Sequence, residues 1–181
     1  MNIFVLHENP IAAAVMHCDK HVPKMVVEAA QMLASALRRH GATDEDMPLT
    51  KAGTPYKGGY AHHPCTVWAG DNRDNFTWLS FHALALSGEY KNRFGKTHAC
   101  KVPIEQMVAM IDIIPEGEQT PFGRAFDKTN PDHDEWYDED KYTAVEAYRL
   151  YYHTKRFANG PPRWEKGTPA PDWWQGVEVT A

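Results

Sequence analysis

A mostly α fold is what the sequence predicts: a single compact helical domain across residues 1–181, with a long loop at 41–61 and an extended C-terminal tail. Three observations lead there. The 181-residue chain is 43% hydrophobic and 12% aromatic, the make-up of one folded domain rather than a disordered chain. Apolar residues recur at helical spacing in several separate segments, each bounded by Pro, Gly, Asn or Asp. No alternating apolar pattern is long enough to demand a sheet, so one layer of helices packed on another is the expected architecture.

The elements follow in order. The opening "MNIFVL" is apolar and too short to classify by period. Asn9-Pro10 then supplies a cap and a first-turn proline, starting a helix toward Met16. A second helix covers roughly 20–40, with Val22, Val26, Ala29, Ala30, Leu33 and Leu37 as its core face and Gly41 closing it. Pro23 either opens that helix at its own position or follows Asp19 as N-cap. Residues 41–61, with "TDEDMP" and "GTPYKGGY", form the long loop; loops of this length in compact domains are usually functional or mobile. Asp71 and Asn72 cap a third helix in which Phe76, Leu79, Ala83, Leu86 and Tyr90 share one face, ending near Gly95. Pro103 opens a fourth that stops at Pro115, and the acidic "DHDEWYDED" precedes a fifth from about Lys141 to Phe157. The stretch "NGPPRWEKGTPAPDWW" is extended and punctuated by proline.

No run of about 18 apolar residues is present, and "MNIFVLHENP" lacks the basic start and long apolar stretch of a signal peptide. A soluble, cytoplasmic protein is expected, in the host cytoplasm if phage-encoded. Cys18, Cys65 and Cys100 are odd in number and widely spaced, which suits reduced thiols. The net charge of −5 hides an uneven distribution: residues 1–101 carry 11 Lys and Arg against 9 Asp and Glu, whereas 102–181 carry 8 against 15. Between Tyr90 and Ile104, Lys91, Arg93, Lys96, His98 and Lys101 stand together without an acid, a set able to neutralise phosphates or simply to form a basic surface.

Two constellations carry chemistry. In "HCDKHVPKMVVEAAQML", Lys24, Glu28, Gln31, Ser35 and Arg38 fall on one stripe of the second helix, opposite its apolar face. The ordinary reading is a solvated stripe with a Lys24–Glu28 pair worth a few tenths of a kcal/mol. Against it, Met25 and Val27 flank the stripe, and His17, Lys20 and His21 converge on its N-terminal end. A partly buried lysine beside a glutamate prepares an amine nucleophile and a carboxyl acid, because desolvation lowers one pKa and raises the other. The second constellation is "YAHHPCTVWAG", a rigid corner with His62, His63, Cys65 and Trp68, where the ordinary reading is a capping histidine and a packed core. Lys24, Glu28, His62 and His63 are expected to line one cleft. His17, His21 and Cys65 are metal-ligand types, but no C-x-x-C spacing supports a site, and no metal or cofactor is expected.

The segments "MNIFVL", "CDKHVPKMVVEAAQML", "HHPCTVWAG" and "EYKNRFGKTH" together resemble, over roughly residues 1–98, the pyrimidine-dimer DNA glycosylases, the endonuclease V type family of bacteria and phages. The resemblance implies a small α-helical enzyme whose partner is DNA, which excises a damaged or modified pyrimidine and then nicks the strand. In such chemistry an amine attacks the sugar C1′ to give a Schiff base, while a carboxylate steadies the cationic sugar. Glu28 is the carboxylate so implied. Familiar members use the α-amine exposed by removal of the initiator Met; Asn2 is too large to favour that removal, so the amine is Met1, Lys24 or Lys20. His62 and His63 complete the implied catalytic set, and His21, Gln31, Trp68, Lys91, Arg93, Lys96, His98 and Lys101 the DNA-contacting one. A transferase that hypermodifies a base such as thymine in phage DNA is an alternative on this scaffold, and a nonenzymatic nucleic-acid-binding domain another.

Overall fold

A computed structural model describes residues 1–176, so the last five residues of the C-terminal tail lie outside the described part. The mostly α expectation holds. Six α-helices appear among the described residues: α1 (Pro10–Val15), α2 (His21–Arg39), α3 (Pro64–Asp71), α4 (Arg73–Phe94), α5 (Lys101–Val108) and α6 (Ala144–His153). Two 3₁₀ segments, Ile111–Ile113 and Pro131–Tyr137, join the later helices.

The helix ends follow local chemistry. Asn9 Oδ1 accepts from the backbone N–H of Ile11 (3.0 Å) and Ala12 (3.1 Å), which fixes the start of α1. Asn72 Oδ1 does the same for Asn75 N–H (2.9 Å) at α4, and Gly95, at φ 68, closes that helix in the left-handed conformation glycine favours. Thr143 and Glu146 form a reciprocal capping box on α6.

Four boundaries differ from expectation. α2 starts at His21, so Pro23 occupies its third position, where the missing N–H has no intrahelical partner to lose. Asp19 does not cap it; its carboxylate takes Arg93 Nη1 (3.1 Å) and the Glu165 N–H (2.6 Å). The corner at 64–71 is itself helical, α3, and is buried at Cys65, Thr66, Trp68, Ala69 and Gly70. A helix surrounded on most sides by protein shows no amphipathic period, which is why the pattern concealed it. α5 begins before Pro103 and gives way to the 3₁₀ turn instead of continuing to Pro115, and α6 is shorter at both ends than residues 141–157.

The long α2 is the axis of packing, with α3, α4 and α5 against it, while α1 packs on α4. Leu33 and Leu37 of α2 and Phe76, Leu79 and Leu86 of α4 are fully buried. Truncating one such leucine to alanine costs about 2–5 kcal/mol. The N-terminal segment Ile3–Leu6 runs through this core, and Tyr148 and Tyr152 of α6 close it from the other side.

The loop at 41–61 folds back along the polar stripe of α2. Arg38 donates twice to the Tyr56 carbonyl (3.1 and 2.8 Å), and Ser35 Oγ both donates to the Gly59 carbonyl (3.0 Å) and accepts its N–H (2.8 Å). Gly58, at φ 79, makes this possible, since a Cβ there would collide with Ser35 Oγ. The stripe is thus covered over its C-terminal half rather than solvated.

Candidate active site

The second turn of α2 turns Glu28 toward the N-terminal segment, where the residue is 9% exposed. Its Oε2 accepts the backbone N–H of Asn2 at 2.8 Å and lies 3.7 Å from the Met1 α-amine. Its Oε1 lies 3.6 Å from Lys24 Nζ, whose side chain is 60% exposed. The carboxylate is therefore held from inside by the main chain and from outside by a solvated lysine.

Asn2 organises that arrangement. Its Oδ1 accepts from Ile3 N–H (2.8 Å) and Phe4 N–H (3.0 Å), and its Nδ2 donates to the Ala125 carbonyl (2.7 Å). The chain then turns sharply: Phe4 sits at φ 42, a left-handed conformation that costs a bulky residue about 1–3 kcal/mol. The turn drives the Phe4 ring among His21 (4.6 Å between centroids), Tyr152 (5.5 Å) and Tyr151 (5.9 Å). Backbone strain held by buried hydrogen bonds next to a charged pair is a recurrent mark of functional sites.

From the His-His-Pro corner only His63 is drawn in. It caps α3 by accepting the Cys65 N–H (3.2 Å), and its pKa is lowered by burial and next by the Met1 ammonium, with Glu28 acting the other way. His62, one residue earlier, is exposed. Cys65 is buried against Tyr148 Oη (3.6 Å), and burial pushes its thiol up to about 11, so it is a packed thiol and not a nucleophile. Gln31 is half-buried one turn beyond Glu28.

Three expected DNA contacts are corrected by their burial. Arg93 is 7% exposed and spends its guanidinium on Glu89 (2.8 Å), Asp19 (3.1 Å) and the carbonyls of His17 (2.7 Å) and Val15 (2.8 Å), so it ties α4 to α1 and cannot reach a phosphate. His21 is buried with Nδ1 on Tyr152 Oη (2.9 Å), and burial brings its pKa down to about 3, leaving a neutral packed ring. Trp68 is buried with Nε1 donating to the Thr120 carbonyl (3.3 Å). The rest of the basic segment is mixed. Lys91 and Lys96 are exposed, Lys101 lies 3.6 Å from Glu105, and His98 bonds the Pro23 carbonyl (3.2 Å). Lys20 is exposed at the edge of a cleft of about 380 Å³ that Phe94, Phe157 and Arg163 also line. The alternative ligand set His17, His21 and Cys65 is not assembled: among the described residues no three His, Cys, Asp or Glu side chains group as a metal site. His17 instead packs on His82 at 5.2 Å with Nδ1 on the Ala13 carbonyl (2.8 Å).

Sequence reasoning missed Asn2 and Lys155. A lone polar residue inside "MNIFVL" was the available signal for the first. For the second there was only a lysine following a run of aromatics, "YYHTK", with nothing to say that the chain would fold it over the Phe4 and Tyr151 rings.

The fold and site define a small helical protein that holds a buried carboxylate against the amine end of its own chain. It belongs to the pyrimidine dimer DNA glycosylase family, whose model matches residues 1–102, as the resemblance over 1–98 led one to expect. No curated protein and no solved structure matches the chain. Ala125, Tyr151 and Lys155 all lie beyond the matched part. Among the described residues no helix is long and apolar enough to cross a membrane.

Proposed function

We propose that the protein is a DNA glycosylase that removes a damaged or modified pyrimidine and then nicks the strand at the abasic sugar. The observation that carries this reading is the 3.7 Å approach of the Met1 α-amine to the buried Glu28 carboxylate. A neutral amine placed there attacks C1′ of an extruded nucleotide: the C1′–amine bond forms as the bond to the base breaks, and the base departs with the electron pair. Glu28 steadies the positive charge that builds on the sugar, at a site sheltered from water where a fixed carboxylate is worth far more than in solution. Ring opening then leaves an imine between the amine and C1′.

The N-terminal geometry serves either processing outcome. With Met1 retained, its amine is the nucleophile; with Met1 removed, the Asn2 nitrogen, 2.8 Å from Oε2, becomes the α-amine at the same carboxylate. Lys24 and Lys20 are exposed side chains, better suited to phosphates than to nucleophilic attack. Lys91 and Lys96 add phosphate contacts. Family membership supports this reading over a base-modifying transferase or a nonenzymatic binding domain.

Borohydride reduction during reaction with pyrimidine-dimer duplex tests it. A covalent protein–DNA adduct, with the trapped peptide carrying the N-terminal residue, is the expected result. Absence of both adduct and base release would overturn the reading.

A further inference from the structure

Lys155, just past the end of α6, is half-buried and makes neither an ion pair nor a side-chain hydrogen bond among the described residues. Its ammonium instead lies over two aromatic faces, 3.6 Å from the Tyr151 ring centroid and 5.2 Å from that of Phe4. Phe4 is the strained residue whose N–H bonds Asn2 Oδ1, and the Asn2 N–H in turn holds Glu28, so a short relay of contacts runs from this lysine to the proposed catalytic carboxylate. On its outer side Lys155 opens into a cleft of about 300 Å³ that Asp127, His133, Tyr151 and Arg156 also line. An amine that is partly stripped of water, has no ion-pair partner within 4 Å and still faces a cleft can exchange a proton, because burial opposes its charge while the ring faces favour it.

We propose that Lys155 is the proton-accepting amine of the strand-cleaving step. This rests on the glycosylase reading above. Once the imine has formed at C1′, the neutral Lys155 amine takes a proton from C2′. The C2′–H electron pair becomes the C2′=C3′ double bond, the C3′–O bond breaks, and the 3′ phosphate leaves with its electrons. Lys155 ends as an ammonium, and a later proton loss to solvent resets it. No oxidant, reductant or further reactant enters. The two amines then have separate duties, the N-terminal one bonding to the sugar and Lys155 moving the proton.

The electrostatics agree with that role. Burial, and next the positive charge of Lys24, bring the Lys155 pKa down to about 8, with Asp127 and Glu28 pulling back. The charged and titratable groups that face it are Lys24, Glu28 and the neutral His21 from α2, Asp127 and His133 from the segment before α6, and Tyr151 and Arg156 on its own side. A general base works best with a pKa near the operating pH, and lysines reach that range through burial of this kind.

The test uses the full chain on duplex DNA with a preformed abasic site, in the parent, Lys155→Met and Lys155→Arg, each checked for folding by its thermal transition. Methionine keeps the length and packing without the amine; arginine keeps the charge without a titratable nitrogen. The expected result is a borohydride-trapped adduct at the parental level in both variants, with strand nicking at least about tenfold slower. Timed from the preformed imine, so that attack by the N-terminal amine does not enter the rate, parental nicking should rise between about pH 7 and 9 as the Lys155 amine loses its proton, and that rise should vanish in both variants. Parental nicking rates and an unchanged pH profile in the two variants would overturn this inference and leave the glycosylase reading standing. A parent that neither traps nor nicks would remove the glycosylase reading and this step with it.

Discussion

The main-chain N–H of Asn2 and the carboxylate of Glu28 are joined by a 2.8 Å hydrogen bond across 26 residues of sequence. One side chain thereby anchors the chain's beginning and is proposed to stabilise the reacting sugar. Replacing Glu28 by Gln separates these duties, since the amide oxygen still accepts the Asn2 N–H while the negative charge is gone. Single-turnover base release should fall by on the order of 10²-fold or more, with DNA affinity nearly unchanged in a binding titration.

Asn2→Ala removes three further bonds, to the Ile3 and Phe4 amides and the Ala125 carbonyl, and leaves those groups buried. A loss of about 2–4 kcal/mol in stability is expected from a urea unfolding curve, at about 1 kcal/mol per bond and more where a buried group stays unpaired. Activity should fall further than stability alone accounts for, because the strained turn at Phe4 positions both Met1 and the ring beneath Lys155.

Stability should depend on pH through a cluster of buried histidines. His17 is held well below the usual histidine range, first by burial and then by the neighbouring His82 and His21; burial brings His82 down to about 4 and His21 to about 3. All three are neutral in the folded protein and take up protons more readily when unfolded. Their contribution is therefore complete above about pH 6.5 and is lost as pH falls from there toward 4 and 3. At pH 5, His21 and His82 should each have withdrawn about 2 kcal/mol, at roughly 1.4 kcal/mol per pH unit. Urea midpoints at pH 7.5, 6 and 5 check this; a flat series would contradict it.

The basic segment should divide by exposure. Lys91→Ala and Lys96→Ala are each expected to weaken DNA binding evenly across sequences and to lower the salt slope by about 1. Arg93→Ala should leave that slope alone and instead destabilise the fold by about 3–5 kcal/mol, because it takes the buried cation from Glu89 and Asp19 and breaks the bonds to the Val15 and His17 carbonyls. Thermal melts set beside salt-dependent binding isotherms distinguish the two behaviours.

That contrast also marks how far the sequence could be read. Caps and period were enough for α1 and α4, since Asn9 and Asn72 act on neighbours within three residues, whereas for α2 and α6 the period gave the helix but not its ends. α3 escaped because its burial is all-round, and the direction of Arg93 escaped because a stretch more than 70 residues away in sequence, Val15 to Asp19, comes round to receive it. Glu28 stood out as a carboxylate on a stripe bordered by apolar residues, a local feature. Its partner Asn2 and the neighbouring Lys155 are brought there only by tertiary packing, which no helical period encodes.

Asn2 is gripped from residue 125 by a carbonyl oxygen, and every amino acid offers the same one at that point. The half of the molecule beyond residue 102, which the family model does not reach, can thus complete the site through its path in space and need not preserve a particular side chain there. An insertion or deletion between Val102 and Ala125 would consequently do more harm to the chemistry than a substitution at Ala125 itself. In this protein the hand that closes the site is recognised by where the thread runs and not by what is written on it.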